Sequence, residues 1–490
     1  MDSSAVLHVT ALLGGGVDRH VRDIARATHR PHITWHVGAH AEVIETRGDR
    51  MVVLDPARVD ADPDAMARWL ASRNVRIVHA HSLAARARER VELVRSRLDA
   101  GLVTTLHDVL FLRRDAFEED APADPDPAWL AANAAFLRTA QSVIAPSEFI
   151  AGLARRHIEG LAVEVIPNGT DAPRALNPVA PRREFSEHRP RHVVAVLGAI
   201  GPHKGAETLE ALGRELVGSG IAVVVVGFLD RQVVPGWRVP GTLFIHGAWQ
   251  DDQVPALLEA YGARLALFPN RVPESFSYTL SDVWSCGLPV LAAPSGALAE
   301  RIGRHGGGWL LPQGFDAPLI ARRLEEILSL DGAAERARVE SQLSRHDPQR
   351  VPSLAAMARS LDALYARFGL DARAPLEGDA AAIERLVAAN LDGSLFRAEL
   401  ARLADEYAQL TRDHERTVAS ARKFEEESRE WIAKLEHDIA ALTADIQREV
   451  AERRALGEAN AQLAIHKAAF DKLPEIVRKW YLKKVLDAGS

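Results

Sequence analysis

Apolar and polar positions alternate between short apolar runs and stretches of helical spacing, and the chain goes through this pattern twice. Residues 6–12 form a β-rich run that leads into Gly14, Gly15 and Gly16, after which Val17, Val21, Ile24 and Ala25 recur at helical spacing. Further runs at 32–37, 51–54, 77–82, 103–107, 142–145 and 163–166 predict strands with helical stretches between most of them. This alternation predicts a doubly wound parallel sheet, in which ligands gather outside the carboxyl ends of the strands. A Pro/Arg-rich connector over 173–190 interrupts it. The alternation restarts with HVVAVLGAIGPHKG and continues through strands at 223–227, 243–246, 265–268, 289–292 and 309–311. The longest apolar run, IAVVVVGFL at 221–229, is far below the roughly 18 residues of a membrane span and reads as a buried parallel strand.

The pattern changes beyond the second half. Residues 352–368 predict a helix that closes across both halves, and DARAPLEGD then reads as a linker. From about 380 to 470 the chain has no proline and few glycines, which predicts a long helix. Leu403, Tyr407, Leu410, His414, Thr417, Ala421, Phe424, Ser428, Trp431 and Leu435 step alternately by four and three, the seam of a coiled coil with polar interruptions. Ile439, Leu442 and Ile446 continue it, and Leu456, Leu463 and Phe470 recover a seven-residue repeat. Self-association through this arm is the expectation, against a solvated helix folded back on the globular body. The end, KLPEIVRKWYLKKVL, mixes Trp480 and Tyr481 with Arg478, Lys479, Lys483 and Lys484, a composition suited to peripheral contact with an anionic membrane face, although its apolar positions scatter around the helix. The expected organisation is therefore an α/β domain over 1–175, a second over 190–345, a closing helix over 350–368, a linker over 369–380, a helical arm over 381–470 and a basic aromatic tail over 471–490.

Composition narrows the classes. A chain of 490 residues is too long for one core, and a formal net charge of -7 leaves no footprint for nucleic acid. The single cysteine, Cys286, excludes an intramolecular disulfide and fits a reducing cytoplasm. The start MDSSAVLHVT lacks a basic stretch followed by a long apolar run, so no signal peptide is expected and the protein is placed in the cytoplasm, with the inner face of the membrane as its one membrane option.

The candidate chemistry lies at strand ends. In PESFSYTLSDVWSCGLPVLA, Glu274 is followed after seven residues by Asp282, and Glu274 is expected at a helix entrance where the N–H groups of Phe276, Ser277 and Tyr278 are free to meet hydroxyl or phosphate oxygens. Acidic residues are also common there through the helix dipole alone. Gly15 and Gly16 lie in a strand–glycine–helix layout that reads either as a phosphate cradle or as a tight turn. His107 and Asp108 close a predicted strand, Ser147 with Glu148 reads as a helix cap, and Asn168-Gly169 reads as a turn. His79 and His81 share one face of a strand, but no further ligand set with recognisable spacing accompanies them, so no metal is assigned.

The Glu274/Asp282 pair resembles the E-x7-E signature of retaining GT-B glycosyltransferases of the family-4 type, with Asp in place of the second Glu. GAIGPHKG resembles that family's diphosphate loop, keeping Lys204 but holding Ala199 where an Arg usually stands, and its form is similar to a bacterial branch that builds surface polysaccharide. The resemblance implies two Rossmann-like domains facing one cleft. It implies transfer of a sugar from a nucleotide-diphosphate donor to a saccharide or lipid-linked saccharide acceptor, with no metal or other cofactor. It implies His107 and Glu274 as catalytic residues at the sugar, Lys204 at the diphosphate and Asp282 at the ribose; the glycine turn and the free N–H groups of the helix entrance add Gly15, Gly16, Phe276, Ser277 and Tyr278 as expected donor-binding residues. Ala199 and Asp282 keep open a non-catalytic scaffold of the same fold, and the two-domain architecture keeps open a sugar-nucleotide epimerase.

Overall fold

The computed structural model describes residues 4–11, 15–38, 42–46, 50–114, 124–171, 179–188, 190–230, 232, 234–343, 347–369 and 376–488. The first domain is built on β1 (Ala5–Thr10), β2 (His32–Val37), β3 (Glu42–Thr46), β4 (Arg50–Leu54), β5 (Val75–Ala80), β6 (Gly101–Thr105), β7 (Ser142–Ala145) and β8 (Val163–Val165). The second holds β9 (His192–Ile200), β10 (Ile221–Leu229), β11 (Gly236–Val239), β12 (Leu243–Ile245), β13 (Ala263–Phe268), β14 (Val290–Ala292) and β15 (Gly308–Leu310), and the chain then returns to the first sheet with β16 (Val387–Asp392). The sheet orders are β16-β4-β3-β2-β1-β5-β6-β7-β8 and β11-β12-β10-β9-β13-β14-β15. Both are Rossmann-like, with helices covering parallel strands whose side chains are buried on both faces.

The first sheet is mixed where the sequence predicts a parallel one. β3 runs antiparallel to β2 and to β4, and β16 runs antiparallel to β4. The polar ends of EVIET hide β3 from an apolar-run reading, yet Glu42 is fully buried. Its carboxylate accepts from Arg90 at 2.7 Å and from the Trp35 indole at 2.9 Å. The ion pair and the indole hydrogen bond offset part of the cost of burying a charge that makes such a strand look exposed.

The predicted closing helix is present as Leu354–Ala366, but its core partners all come from the first domain. Leu354, Met357, Leu361, Leu364 and Tyr365 pack with Val6, Ile24, Ile77, Val103, Ile144 and Ile166.

The expected linker and helix start also differ. Asp379 donates its N–H to the Arg68 carbonyl at 3.0 Å, a 3-10 helix covers Ala380–Arg385, and Ala382 and Leu386 are buried in the first core. Residues 380–392 carry a helix-like composition, but pairing with the open edge of β4 overrides local propensity. A chain ending after Asp392 should melt close to the full-length first domain. A chain ending at Gly378 should lose about 2–4 kcal/mol, because it strips an edge strand and two buried side chains. Calorimetry of the two truncations decides this.

The long helix spans Gly393–Asp471, and a second helix covers Glu475–Ala488. The expected rungs from Leu403 to Phe424 have side chains outside the described residues. Trp431, Leu435, Ile439, Leu442, Ile446, Leu456 and Leu463 are exposed. Among the described residues no helix is long and apolar enough to cross a membrane.

Candidate active site

Two loops at the carboxyl edge of the second sheet form the base of the site. After β9 the chain makes a single 3-10 turn, Pro202–Lys204, and enters the helix Ala206–Glu215 through Gly205 at φ +86°. A Cβ at Gly205 would collide with the Pro269 carbonyl, so only glycine lets this turn press against the loop after β13. The His203 carbonyl accepts from the N–H groups of both Arg271 and Val272 at 3.0 Å, which locks the two loops together. The lock brings Lys204 Nζ to 3.5 Å from Glu274 Oε1, and Asn270 Nδ2 donates to the same oxygen at 2.9 Å. A cation and a carboxylate seventy residues apart in sequence thus stand side by side, both partly exposed. Burial and the neighbouring Lys204 charge hold the His203 imidazole below its usual pKa, so it adds no charge at neutral pH.

Glu274 does not stand at the helix entrance that its sequence context suggests. The helix is Tyr278–Ser285, and residues 270–277 are an irregular loop. Ser277, just before the helix, adopts φ +69°, a conformation costly for a residue with a Cβ. The loop is held from behind. Ala297 N–H donates to the Glu274 carbonyl at 2.8 Å, and a Cβ at Gly296 would come within 2.7 Å of that same oxygen. Arg301, 6% exposed, donates to the carbonyls of Phe276, Ser277 and Arg350 and to Ser281 Oγ at 2.7–3.0 Å, with its guanidinium over the Phe276 ring at 4.2 Å. Burial lowers its pKa to about 9. Four hydrogen bonds to one buried cation offset both its desolvation and the Ser277 strain. The side chains of Phe276, Ser277 and Tyr278 are buried, so what these three residues offer a ligand is backbone.

The first domain meets this loop through its glycine turn. Gly15 opens the helix Gly15–Ala27, and Arg19 on that helix makes a two-pronged pair with Asp282, at 2.8 and 3.0 Å. Its guanidinium also lies 4.5 Å from the centre of the Tyr278 ring. His20 Nδ1 and the Tyr278 hydroxyl are 3.2 Å apart. A Cβ on Gly16 would stand 3.8 Å from Tyr278 Cδ2, so the glycine turn and the Tyr278 helix are neighbours. Glu300 of the second domain caps the helix Glu148–His157, accepting from the N–H groups of Glu148 and Phe149. Asp282, expected at a ribose, is thus engaged by Arg19.

His107 lies two residues past β6 rather than closing it, and is half-buried. Its Nε2 is 2.9 Å from His81 Nδ1, at the end of a row of imidazoles that runs inward through His8 to His32. Ala199 is an exposed position on β9, opposite Phe228 of β10. The sequence reading missed Arg19, His20, Asn270 and Arg301. Arg19 and His20 follow the glycine turn at one-helix-turn reach of Gly15 and Gly16, a signal that was available. Arg301 had none, because it sits in an ordinary amphipathic helix.

Comparison with known proteins agrees with the two-domain fold. The family model described as Glycosyltransferase Family 4 matches residues 14–174, and the one described as Glycosyl transferases group 1 matches residues 182–343. A D-inositol 3-phosphate glycosyltransferase of Segniliparus rotundus is 26% identical over 259 residues, 50% of this chain and 56% of that protein. The chain therefore aligns with little more than half the length of that relative. Among solved structures, Anabaena HepE in complex with UDP and glucose is similar over 74% of this chain and 100% of its own, with TM-score 0.54 and 17% identity. Sucrose-phosphate synthase of Thermosynechococcus elongatus is similar over 75% and 99%, with TM-score 0.55 and 18% identity. With both domain models matched in order on two Rossmann-like sheets, this chain carries glycosyltransferase family-4-type domains in a GT-B fold.

Proposed function

We propose that this glycosyltransferase moves a sugar, with retention of anomeric configuration, from a nucleoside-diphosphate sugar to a saccharide or lipid-linked saccharide acceptor in surface-polysaccharide assembly. The observation that carries the reading is the Lys204–Glu274 pair, one cation for a diphosphate and one carboxylate for sugar hydroxyls, set side by side by interlocked loops. In the transfer the donor C1–O bond breaks as the acceptor oxygen bonds to C1 from the same face, and the acceptor proton passes to the departing phosphate oxygen. Lys204 offsets the charge that grows on that phosphate. The backbone N–H groups of Phe276, Ser277 and Tyr278 lie beside Glu274 for hydroxyl or phosphate oxygens. His107 faces the sugar from the first domain, with Gly15 and Gly16 allowing close approach. Asp282 reaches the ribose by sharing its carboxylate with Arg19. The exposed apolar rungs of the long helix support self-association, and the basic aromatic tail supports peripheral contact with an anionic membrane.

The test is to incubate the full chain with UDP-, GDP- and ADP-sugars and candidate saccharide acceptors, reading melting shifts for donor binding and proton NMR for the anomer of the product. One donor class should stabilise the fold, by about 2.7 kcal/mol at a hundredfold excess over Kd, and yield a product of the donor's own anomeric configuration. An inverted product overturns retention. Absence of any donor shift overturns the enzymatic reading in favour of the scaffold.

A further inference from the structure

Three histidines that lie far apart in sequence meet at the crevice end of the first sheet. His81 follows β5, His107 follows β6, and His20 comes from the helix Gly15–Ala27. One ring nitrogen of each lies within 4.8 Å of the other two. The ring centres are 4.9 Å apart for His20 and His107, 5.2 Å for His81 and His107, and 5.7 Å for His20 and His81. Imidazoles bound to one tetrahedral ion at metal–nitrogen distances of about 2.0–2.1 Å place their ring centres about 5 Å apart.

The protons on these rings can be followed. The Thr28 hydroxyl donates to the Ile24 carbonyl at 2.8 Å, so towards His32 Nε2 it acts as acceptor. His32 Nε2 then carries a proton, and its Nδ1 accepts from His8 Nε2 at 2.8 Å. His8 Nδ1 in turn accepts from His81 Nε2 at 2.9 Å. This leaves His81 Nδ1 as a bare lone pair aimed at His107. His20 shows the same arrangement from the other side, since its Nδ1 is spent on the Tyr278 hydroxyl while its Nε2 is buried with no partner. A buried ring nitrogen without a partner costs about 1–3 kcal/mol and calls for an explanation.

We infer that His20 Nε2, His81 Nδ1 and His107 Nε2 form a binding site for one late first-row divalent ion, zinc above all, with a fourth position left open on the His107 side. Three imidazole nitrogens without a carboxylate select zinc, cobalt or nickel over magnesium or calcium. The outer nitrogens of His20 and His81 are already tied to Tyr278 and His8, the orienting partners that such ligands need. Burial keeps all three rings neutral, the form that ligates. In the ion-free chain His107 Nε2–H donates to His81 Nδ1. On binding, that proton moves through solvent to His107 Nδ1, which has no hydrogen-bond partner among the described residues, so no net proton is released. The ion thereby turns the Nδ1 face of His107 from acceptor to donor. The other grouping of three, His8, His79 and His81, has no such vacancy. His79 is held by the Tyr365 hydroxyl and Thr105 Oγ1, both at 2.7 Å, and His8 by two imidazoles. The site stands or falls independently of which sugar the enzyme transfers.

The test uses the full chain stripped with a chelator and titrated with Zn²⁺ and, for its spectrum, Co²⁺. One equivalent should bind per chain, raise the melting temperature, and give Co²⁺ the intense visible absorption of four-coordination. His20→Ala should weaken binding about 100-fold or more. Tyr278→Phe, which removes only the hydroxyl that orients His20, should weaken it about 10-fold and serves if His20→Ala does not fold. His79→Asn should leave the stoichiometry and the Co²⁺ spectrum unchanged. Binding below one equivalent, a weak six-coordinate Co²⁺ spectrum, or affinity that neither His20→Ala nor Tyr278→Phe alters would each overturn the site.

Discussion

Replacing Lys204 with alanine is expected to lower kcat/KM for sugar transfer by about 10²–10³-fold, with part of the loss in donor binding and part in kcat. Lys204 is 30% exposed and sits at 3.5 Å from Glu274, so in the free enzyme it is neither buried nor needed for the fold. A surface ion pair of this kind adds at most about 1 kcal/mol to stability, and the melting temperature should hardly move. The catalytic cost is larger because Ala199 leaves the loop without a second cation from β9. Glu274→Ala should abolish measurable transfer and also release Asn270, whose amide then loses its acceptor. The two residues serve one site, so the double variant should be little worse than Glu274→Ala alone. Ala199→Arg, placed at an exposed strand position, should tighten donor binding. The checks are steady-state kinetics with the donor found by melting shift, and calorimetry of donor binding for each variant. Lys204→Ala with near-normal kcat/KM would remove the diphosphate from this loop.

The two sheets were legible because their central strands are apolar on both faces, as in IAVVVVGFL, and such runs have few other structural uses. β3 was not, because Glu42 reads as a surface residue until Arg90 and Trp35 are seen around it. β16 was not, because its pairing partner, β4, lies more than three hundred residues earlier and nothing local prefers a strand there. At the site the sequence supplied Glu274 and Lys204 as separate signals. Their contact depends on the His203 carbonyl, a backbone group that no side-chain pattern encodes. The helix start was misplaced because Ser277 at positive φ ends the loop four residues later than the acidic pattern suggests. The H-x-H pair was visible, but its neighbours His8, His20 and His107 come from three other elements, and ligand spacing along the chain carries no trace of them.

Acid should unfold the first domain well before it unfolds an ordinary α/β protein. His8, His20, His79 and His81 are all sealed from solvent, and burial lowers every one of their pKa values, that of His20 to about 3. For a group whose folded pKa is depressed below the unfolded value near 6.5, the unfolded chain binds the extra proton. Stability is therefore complete above about pH 6.5 and is lost as pH falls towards the folded pKa. Each such ring contributes about 1.4 kcal/mol per pH unit in that window. Asp108 works the other way, since burial raises it to about 6 and its protonation between there and the unfolded value near 4 favours the folded chain. Four rings against one carboxyl leave a net loss of stability as pH falls below about 6.5. Against a typical total of about 5–15 kcal/mol, that loss should bring the unfolding midpoint into the mildly acidic range below about pH 6.5. Urea unfolding followed by near-ultraviolet circular dichroism, at a series of pH values with chelator present, gives the slope directly. His79→Asn, which keeps a polar group beside Tyr365 and Thr105 but cannot titrate, should reduce that slope by about one proton. A slope below about 1.4 kcal/mol per pH unit in the wild-type chain would mean that the rings accept protons without unfolding, and the sealed row would then have a route to water.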